Sequence, residues 1–136
     1  MTLNWRDVRM IDLAILILRL FLGIVMIPHG VHKLQILDVL NKKWREEYGF
    51  PVGSVALTGI VQIVTGLAMV FGIYGRYAAL TQALIMLVAT YVSIWKNHEP
   101  FLSLPTGKGW DINFLLMGAL IVLILLGDGS WALLGG

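Results

Sequence analysis

The stretch from Leu13 to Lys33 restricts the fold of this chain more than any other, since it reads LAILILRLFLGIVMIPHGVHK. About 20 consecutive apolar residues in a helix cross the roughly 30 Å hydrocarbon core of a bilayer, and this run reaches that length. It nevertheless carries Arg19 near its middle and His29 and Lys33 at its far end. A charge at membrane depth is costly and usually faces protein or a water-filled cavity, so Arg19 marks a functional side of this helix.

The composition extends this interpretation to the whole chain. Its 136 residues are 58% hydrophobic and 13% charged, against about 45–50% and about 25% in soluble domains. Four apolar blocks lie at about 12–33, 52–74, 76–95 and 112–127. Lipid offers the backbone no hydrogen-bond partners, so each block is predicted to be helical. We predict an all-α membrane protein, with four transmembrane helices in an antiparallel bundle that forms one domain over residues 1–136.

Two segments between and after the spans are polar. In the first, QILDVLNKKWREEYGFP, the apolar residues Leu37, Leu40, Trp44 and Tyr48 recur at helical spacing. This pattern predicts an amphipathic helix in the membrane interface between the first two spans; a solvated loop is the alternative. The last segment, GDGSWALLGG, is predicted to be only a tail at the membrane surface.

Glycines on two spans predict where helices pack closely. A helix advances by about 100° per residue, which places Gly23, Gly30 and Lys33 on nearly the same face of the first span as Arg19. On the second span, Gly59 and Gly66 share a face with Gln62. Small residues allow close helix approach in membranes, so the four glycines are predicted to serve helix packing.

Alternating spans bring several polar residues to one side of the membrane. The first and third spans end there and the fourth begins there. His29, Lys33, His98 and Asp111 are among the residues gathered there. With Arg19 and Gln62 inside the spans, they are the predicted ligand- or partner-binding residues. The count of lysine and arginine in the loops favours this side as cytoplasmic.

Arg19 has several interpretations from sequence alone. It could bind an anionic ligand or a quinone carbonyl, or pair with an acid of a partner subunit. It could instead be a packing residue whose donors are satisfied by Gln62, Gln82 or backbone carbonyls. Asp111 likewise either belongs to a site or simply caps the fourth helix.

Several kinds of chemistry are disfavoured. The chain has no cysteine, so thiol catalysis and cysteine-ligated clusters are not expected. The net charge of +2 is too small and too scattered to indicate nucleic acid. Haem is disfavoured because no c-type attachment motif is present, although His29, His32 or His98 could ligate iron. No metal site is predicted, and any redox cofactor would come from a substrate or another subunit.

The sequence resembles the DoxX/DoxD-like family of small membrane proteins in several motifs. These are RLFLG from Arg19, PHGVHKL from Pro28, GIVQIVTGL from Gly59 and GDGSW from Gly127. The resemblance implies a four-helix, multi-pass protein of the cell inner membrane, and the family's named member is the membrane subunit of a thiosulfate:quinone oxidoreductase. The matching positions are Arg19, Gly23, His29, Gly30, Lys33, Gly66 and Arg76.

Two departures from the family pattern bear on function. Gln62 stands where the family often has glutamate, and Ser130 where it often has arginine. The first change removes an acidic partner for Arg19 or Lys33, which argues against a proton-coupled role.

The leading hypothesis is an integral membrane subunit of a quinone-linked redox or respiratory complex. The alternative is a non-catalytic accessory or scaffolding subunit that docks a larger complex through Arg19 and the glycine face of its first helix. A small-solute carrier formed by oligomers is a third hypothesis. The expected partners are the lipid bilayer and another protein or further copies of the chain, with a quinone as candidate ligand; whether the chain is an enzyme stays open.

Overall fold

The computed structural model describes residue 2 and residues 4–135, and its regular structure there is helical. Five helices follow in order: α1 (Trp5–Gln35), α2 (Leu37–Lys43), α3 (Ser54–Phe71), α4 (Gly75–Tyr91) and α5 (Asp111–Leu126). Two of them continue as π-helical turns, α2 through Trp44–Tyr48 and α4 through Val92–Lys96. The all-α prediction is therefore confirmed for the described part of the chain.

Three of these helices are long and apolar enough to cross a membrane. They are α1, α3 and α4 together with its π-helical turn. Helix α5 is also apolar but has only 16 residues.

Helix α1 begins at Trp5, before the predicted start at residue 12, because Asn4 and Asp7 form a capping box. The Asp7 backbone N–H donates to Asn4 Oδ1 (3.0 Å), and the Asn4 N–H donates to Asp7 Oδ2 (3.2 Å).

Helices α1 and α3 approach each other closely at their glycines. A Cβ atom built on Gly30 would lie 2.5 Å from the Gly59 carbonyl oxygen, and one built on Gly23 would lie 2.6 Å from the Gly66 carbonyl oxygen. Glycines later in α1 thus meet glycines earlier in α3. No side chain larger than hydrogen fits at these crossings without moving a backbone.

A second close pair is formed by α4 and α5, and the two pairs share one core. Gln82 on α4 links them, because its Nε2 donates to the Gln62 carbonyl oxygen (3.3 Å) and to Thr65 Oγ1 on α3. The largest buried apolar side chains of the shared core are Ile15, Leu22, Met26, Met69, Met86, Leu120 and Leu123. α1 packs chiefly on α3, and α4 packs chiefly on α5. A cavity lies between the two pairs towards one end.

The segment after α5 is bound to the rest of the protein and is not the free tail predicted from its sequence. The backbone N–H groups of Leu133 and Leu134 donate to the carbonyls of Phe71 (3.1 Å) and Gly72 (2.9 Å) at the turn between α3 and α4. The Asp128 carboxylate accepts from the Gly75 N–H at 2.8 Å, at the start of α4. The segment therefore stabilises the α3–α4 turn.

Candidate ligand cavity

A cavity of about 690 Å³ lies between the two helix pairs, where α1 ends and α5 begins. Cavities that bind small molecules typically measure about 300–1,000 Å³. Most of its wall is apolar, and residues from α1, α3, α4, α5 and both π-helical turns contribute to it. Its polar lining includes His29, Lys33, Gln62, Ser93, Asn97, Lys108 and Asn113.

The polar centre of the cavity is a contact between Lys33 and Gln62. Lys33 Nζ donates to Gln62 Oε1 at 2.7 Å, and Gln62 is completely buried. An ammonium group has only donors, so it fixes the amide with its oxygen towards Lys33. The Gln62 Nε2 group is consequently left without a hydrogen-bond partner among the described residues. Such a buried donor costs about 1–3 kcal/mol, which a ligand oxygen would recover.

The remaining polar groups of the cavity reinforce this preference for an acceptor. Lys108 adds a second ammonium group, and the buried Ser93 and Asn113 add a hydroxyl and an amide. Within residues 4–135, no carboxylate lines the cavity. The cavity therefore suits a ligand whose oxygen atoms accept hydrogen bonds, such as a carbonyl or an anionic group.

An aromatic rim closes part of the cavity. Trp44 and Phe50 contact each other edge to face, with ring centroids 5.6 Å apart, and Tyr48 OH donates to Asn97 Oδ1 at 2.8 Å. This bond joins the π-helical turn after α2 to the end of the π-helical turn after α4. All four of these residues line the cavity, so the rim is part of the candidate site.

We expect Tyr48→Phe to loosen this rim without unfolding the protein. Loss of one exposed hydrogen bond costs about 1 kcal/mol, so amides in Val92–Asn97 should exchange with deuterium about fivefold faster. Hydrogen–deuterium exchange measured by mass spectrometry checks this result. Tyr91→Phe is the matched control. It also removes a tyrosine hydroxyl near this segment, but it keeps the ring that stacks on Trp95. Equal exchange in both variants would show that the Tyr48–Asn97 bond does not hold the rim.

The structure brings together three of the predicted site residues and separates the others. His29, Lys33 and Gln62 line the cavity, whereas His98 and Asp111 do not. His98 is exposed and has a left-handed backbone (φ 52°). The Asp111 carboxylate accepts from the Ser103 backbone N–H (3.0 Å) and from Ser103 Oγ (2.6 Å), so it anchors the preceding loop to the start of α5.

Arg19 lies outside the cavity, and its guanidinium donates to four backbone carbonyls. Nε donates to Met69 (2.9 Å) and Nη2 to Val70 (3.2 Å) at the end of α3, while Nη1 donates to Asp128 (2.9 Å) and Trp131 (2.7 Å). The side chain is only 1% exposed. These contacts correspond to the packing interpretation of Arg19, and its ligand-binding role stays a prediction.

The glycine face of α1 is likewise occupied inside the chain. Gly23 and Gly30 contact α3 directly, which leaves no room for a partner helix on this face. The scaffolding hypothesis therefore loses the docking surface that the sequence predicted for it.

Several cavity residues were not among the predicted site residues. Lys108 lies in an irregular loop, where no periodic pattern indicates a direction. Ser93 lies in the π-helical turn after α4, and a serine at the end of an apolar span is more often a packing residue than a ligand. Trp44 and Tyr48 carried the clearest signal, because their helical spacing already predicted an apolar face on this segment.

Comparisons with known proteins show the family of this chain. Residues 14–95 match the DoxX family. The uncharacterized membrane protein Rv3486 of Mycobacterium tuberculosis is 27% identical over 130 residues, which cover 88% of this chain and 78% of that protein. The uncharacterized protein YdgD of Bacillus subtilis is 30% identical over 73 residues, which cover 54% of this chain and 63% of that protein. No solved structure matches. The family match covers more than half of the sequence and the helices suit a bilayer, so this chain belongs to the DoxX family of membrane proteins.

Proposed function

We propose that this DoxX protein binds the headgroup of a quinone in the cavity and acts as the membrane subunit of a redox complex in the cell inner membrane. In this proposal α1, α3, α4 and α5 are four spans of an antiparallel bundle, and α2 lies in the membrane interface. The observation that carries the proposal is the buried, unpartnered Gln62 Nε2 donor beside Lys33.

A quinone headgroup matches the cavity in both shape and polarity. It is a flat, largely apolar ring with two carbonyl oxygens, each of which accepts hydrogen bonds. Gln62 Nε2 and Lys33 are donors for one oxygen, and Lys108 or Asn113 for the other. Apolar side chains such as Met26 and Leu116 contact the ring faces. Reduction places negative charge on the quinone oxygens, and fixed donors favour that charge.

The redox partner is a separate protein in this proposal. The chain has no cysteine and so no cysteine-ligated cluster to deliver electrons. The residues of this chain hold and orient the quinone, while the partner supplies the electrons. Co-purification from native membranes with a flavin- or haem-containing protein would support this part of the proposal.

We expect Gln62→Leu to weaken quinone binding about tenfold, because one buried hydrogen bond to the headgroup is lost. The probe is menadione, a tail-less naphthoquinone, titrated into the purified protein in detergent and followed by calorimetry. Menadione normally alkylates thiols, and this chain has none. Gln35→Leu is the matched control, since Gln35 is exposed and lies outside the cavity.

A second variant keeps the contact with Lys33 and removes only the Nε2 donor. Gln62→Glu retains an oxygen that accepts from Lys33 but replaces the Nε2 donor by a second acceptor, so it too should bind menadione at least tenfold more weakly. The proposal is overturned if the wild-type protein binds no menadione, or if both Gln62 variants bind as tightly as the wild type.

A further inference from the structure

The exposed residues that line the cavity are of two kinds. His29, Asn97 and Lys108 are polar. Leu84, Val88 and Ile112 are apolar and 57%, 49% and 50% exposed. A lining residue that is also exposed lies where the cavity meets the surface, so the first group marks a polar opening, and Leu84 and Val88 mark an apolar opening on α4.

The position of Leu84 and Val88 sets them apart from the other apolar residues on the outside of α4. Leu80 and Leu87 are exposed to a similar extent but do not line the cavity. Leu84 and Val88 are one helical turn apart. Together they mark the place where the cavity reaches the side of the helix bundle.

The polar centre and the apolar opening belong to one cavity. Gln62 on α3 lines it together with Leu84 and Val88 on α4. A chain attached to a headgroup at Gln62 can therefore reach Leu84 and Val88 without leaving the cavity.

We infer that the cavity binds its ligand as a long-chain amphiphile, whose apolar tail passes between Leu84 and Val88 into the bilayer while the headgroup lies at Lys33 and Gln62. This inference rests on the proposed function and names the substrate class: isoprenoid-tailed quinones that enter from the membrane. A tail of that kind gains about 0.8 kcal/mol for each methylene that leaves water, so it belongs at the apolar opening and not at the polar one.

A tail-labelled probe tests the inference directly. The probe is a phylloquinone derivative with a photoreactive diazirine on the tail carbon nearest the ring, and the competitor is menadione, which has the same ring without the tail. The full chain is reconstituted in phosphatidylcholine nanodiscs, irradiated and analysed by mass spectrometry. We expect labelling of Leu84 and Val88 that excess menadione reduces at least fivefold, because ordinary labelling from lipid is not displaced by a ring-only competitor.

A matched pair of variants examines the opening itself. Leu84→Trp should fill the opening and reduce the menadione-sensitive labelling at least fivefold, whereas Leu80→Trp, one turn earlier on the same helix, should leave it unchanged. Menadione binding to the wild type is measured separately. It shows whether a negative result concerns only the path of the tail or the quinone site itself. Menadione-sensitive labelling at the aromatic rim, or binding of menadione without displacement of the probe, overturns the inference and leaves the proposed function in place. Absence of menadione binding overturns both.

Discussion

Replacing Arg19 by methionine should lower the free energy of unfolding by about 3 kcal/mol or more. The substitution removes a donor from four backbone carbonyls, two at the end of α3 and two in the segment after α5. Of these, the Met69 carbonyl keeps a bond from the Gly72 N–H (3.4 Å). Each buried polar group left unpaired costs about 1–3 kcal/mol, and relief of the desolvated guanidinium offsets part of the sum. The measurement is unfolding of detergent-solubilised protein by increasing amounts of dodecyl sulfate, followed by tryptophan fluorescence.

Two further variants give this experiment its controls. Arg76→Met makes the same change at an exposed position, so its unfolding free energy should stay within about 0.5 kcal/mol of the wild type. Arg19→Lys should lie between the two, because lysine keeps the charge but lacks the planar fork of donors. If Arg19→Met unfolds like the wild type and instead loses menadione binding, Arg19 belongs to the ligand site, as the sequence analysis predicted.

Sequence periodicity placed two residues of the polar centre on helix faces that carry glycines. Helical spacing placed Lys33 on the glycine face of the first span and Gln62 on the glycine face of the second. The structure joins these faces and brings the two side chains to 2.7 Å. The residues lie 29 positions apart in the sequence, and the close-packing glycines bring their two helices together.

There is a physical reason why helical periodicity could not predict which groups Arg19 contacts. Its acceptors are backbone carbonyls, some of them 109 and 112 positions away. Every residue has a carbonyl, so the side chains around Asp128 and Trp131 carry no signal for such a bond. The same holds for Leu133 and Leu134, whose backbone N–H groups bind the α3–α4 turn. A short apolar tail and a turn-stabilising segment therefore look alike in sequence.

We expect Gly30→Ala to be destabilising by about 1–3 kcal/mol, although alanine is the better helix former. The new Cβ would lie 2.5 Å from the Gly59 carbonyl oxygen and 2.8 Å from Ile63 Cγ1, so α1 and α3 must separate to accept it. Separation also draws Lys33, one turn further along α1, away from Gln62. Menadione affinity should therefore fall together with stability, and both are measured on the same purified variant.

Gly118→Ala provides the matched control, because a Cβ at Gly118 on α5 meets no atom within 4 Å. There the helix propensity of alanine acts without a clash, and stability should stay equal or rise by up to about 1 kcal/mol. The test is that the two substitutions change stability in opposite directions. Equal stability of Gly30→Ala and Gly118→Ala would mean that α1 and α3 do not touch at Gly30 and Gly59, and the Lys33–Gln62 contact that depends on this crossing would lose its structural basis.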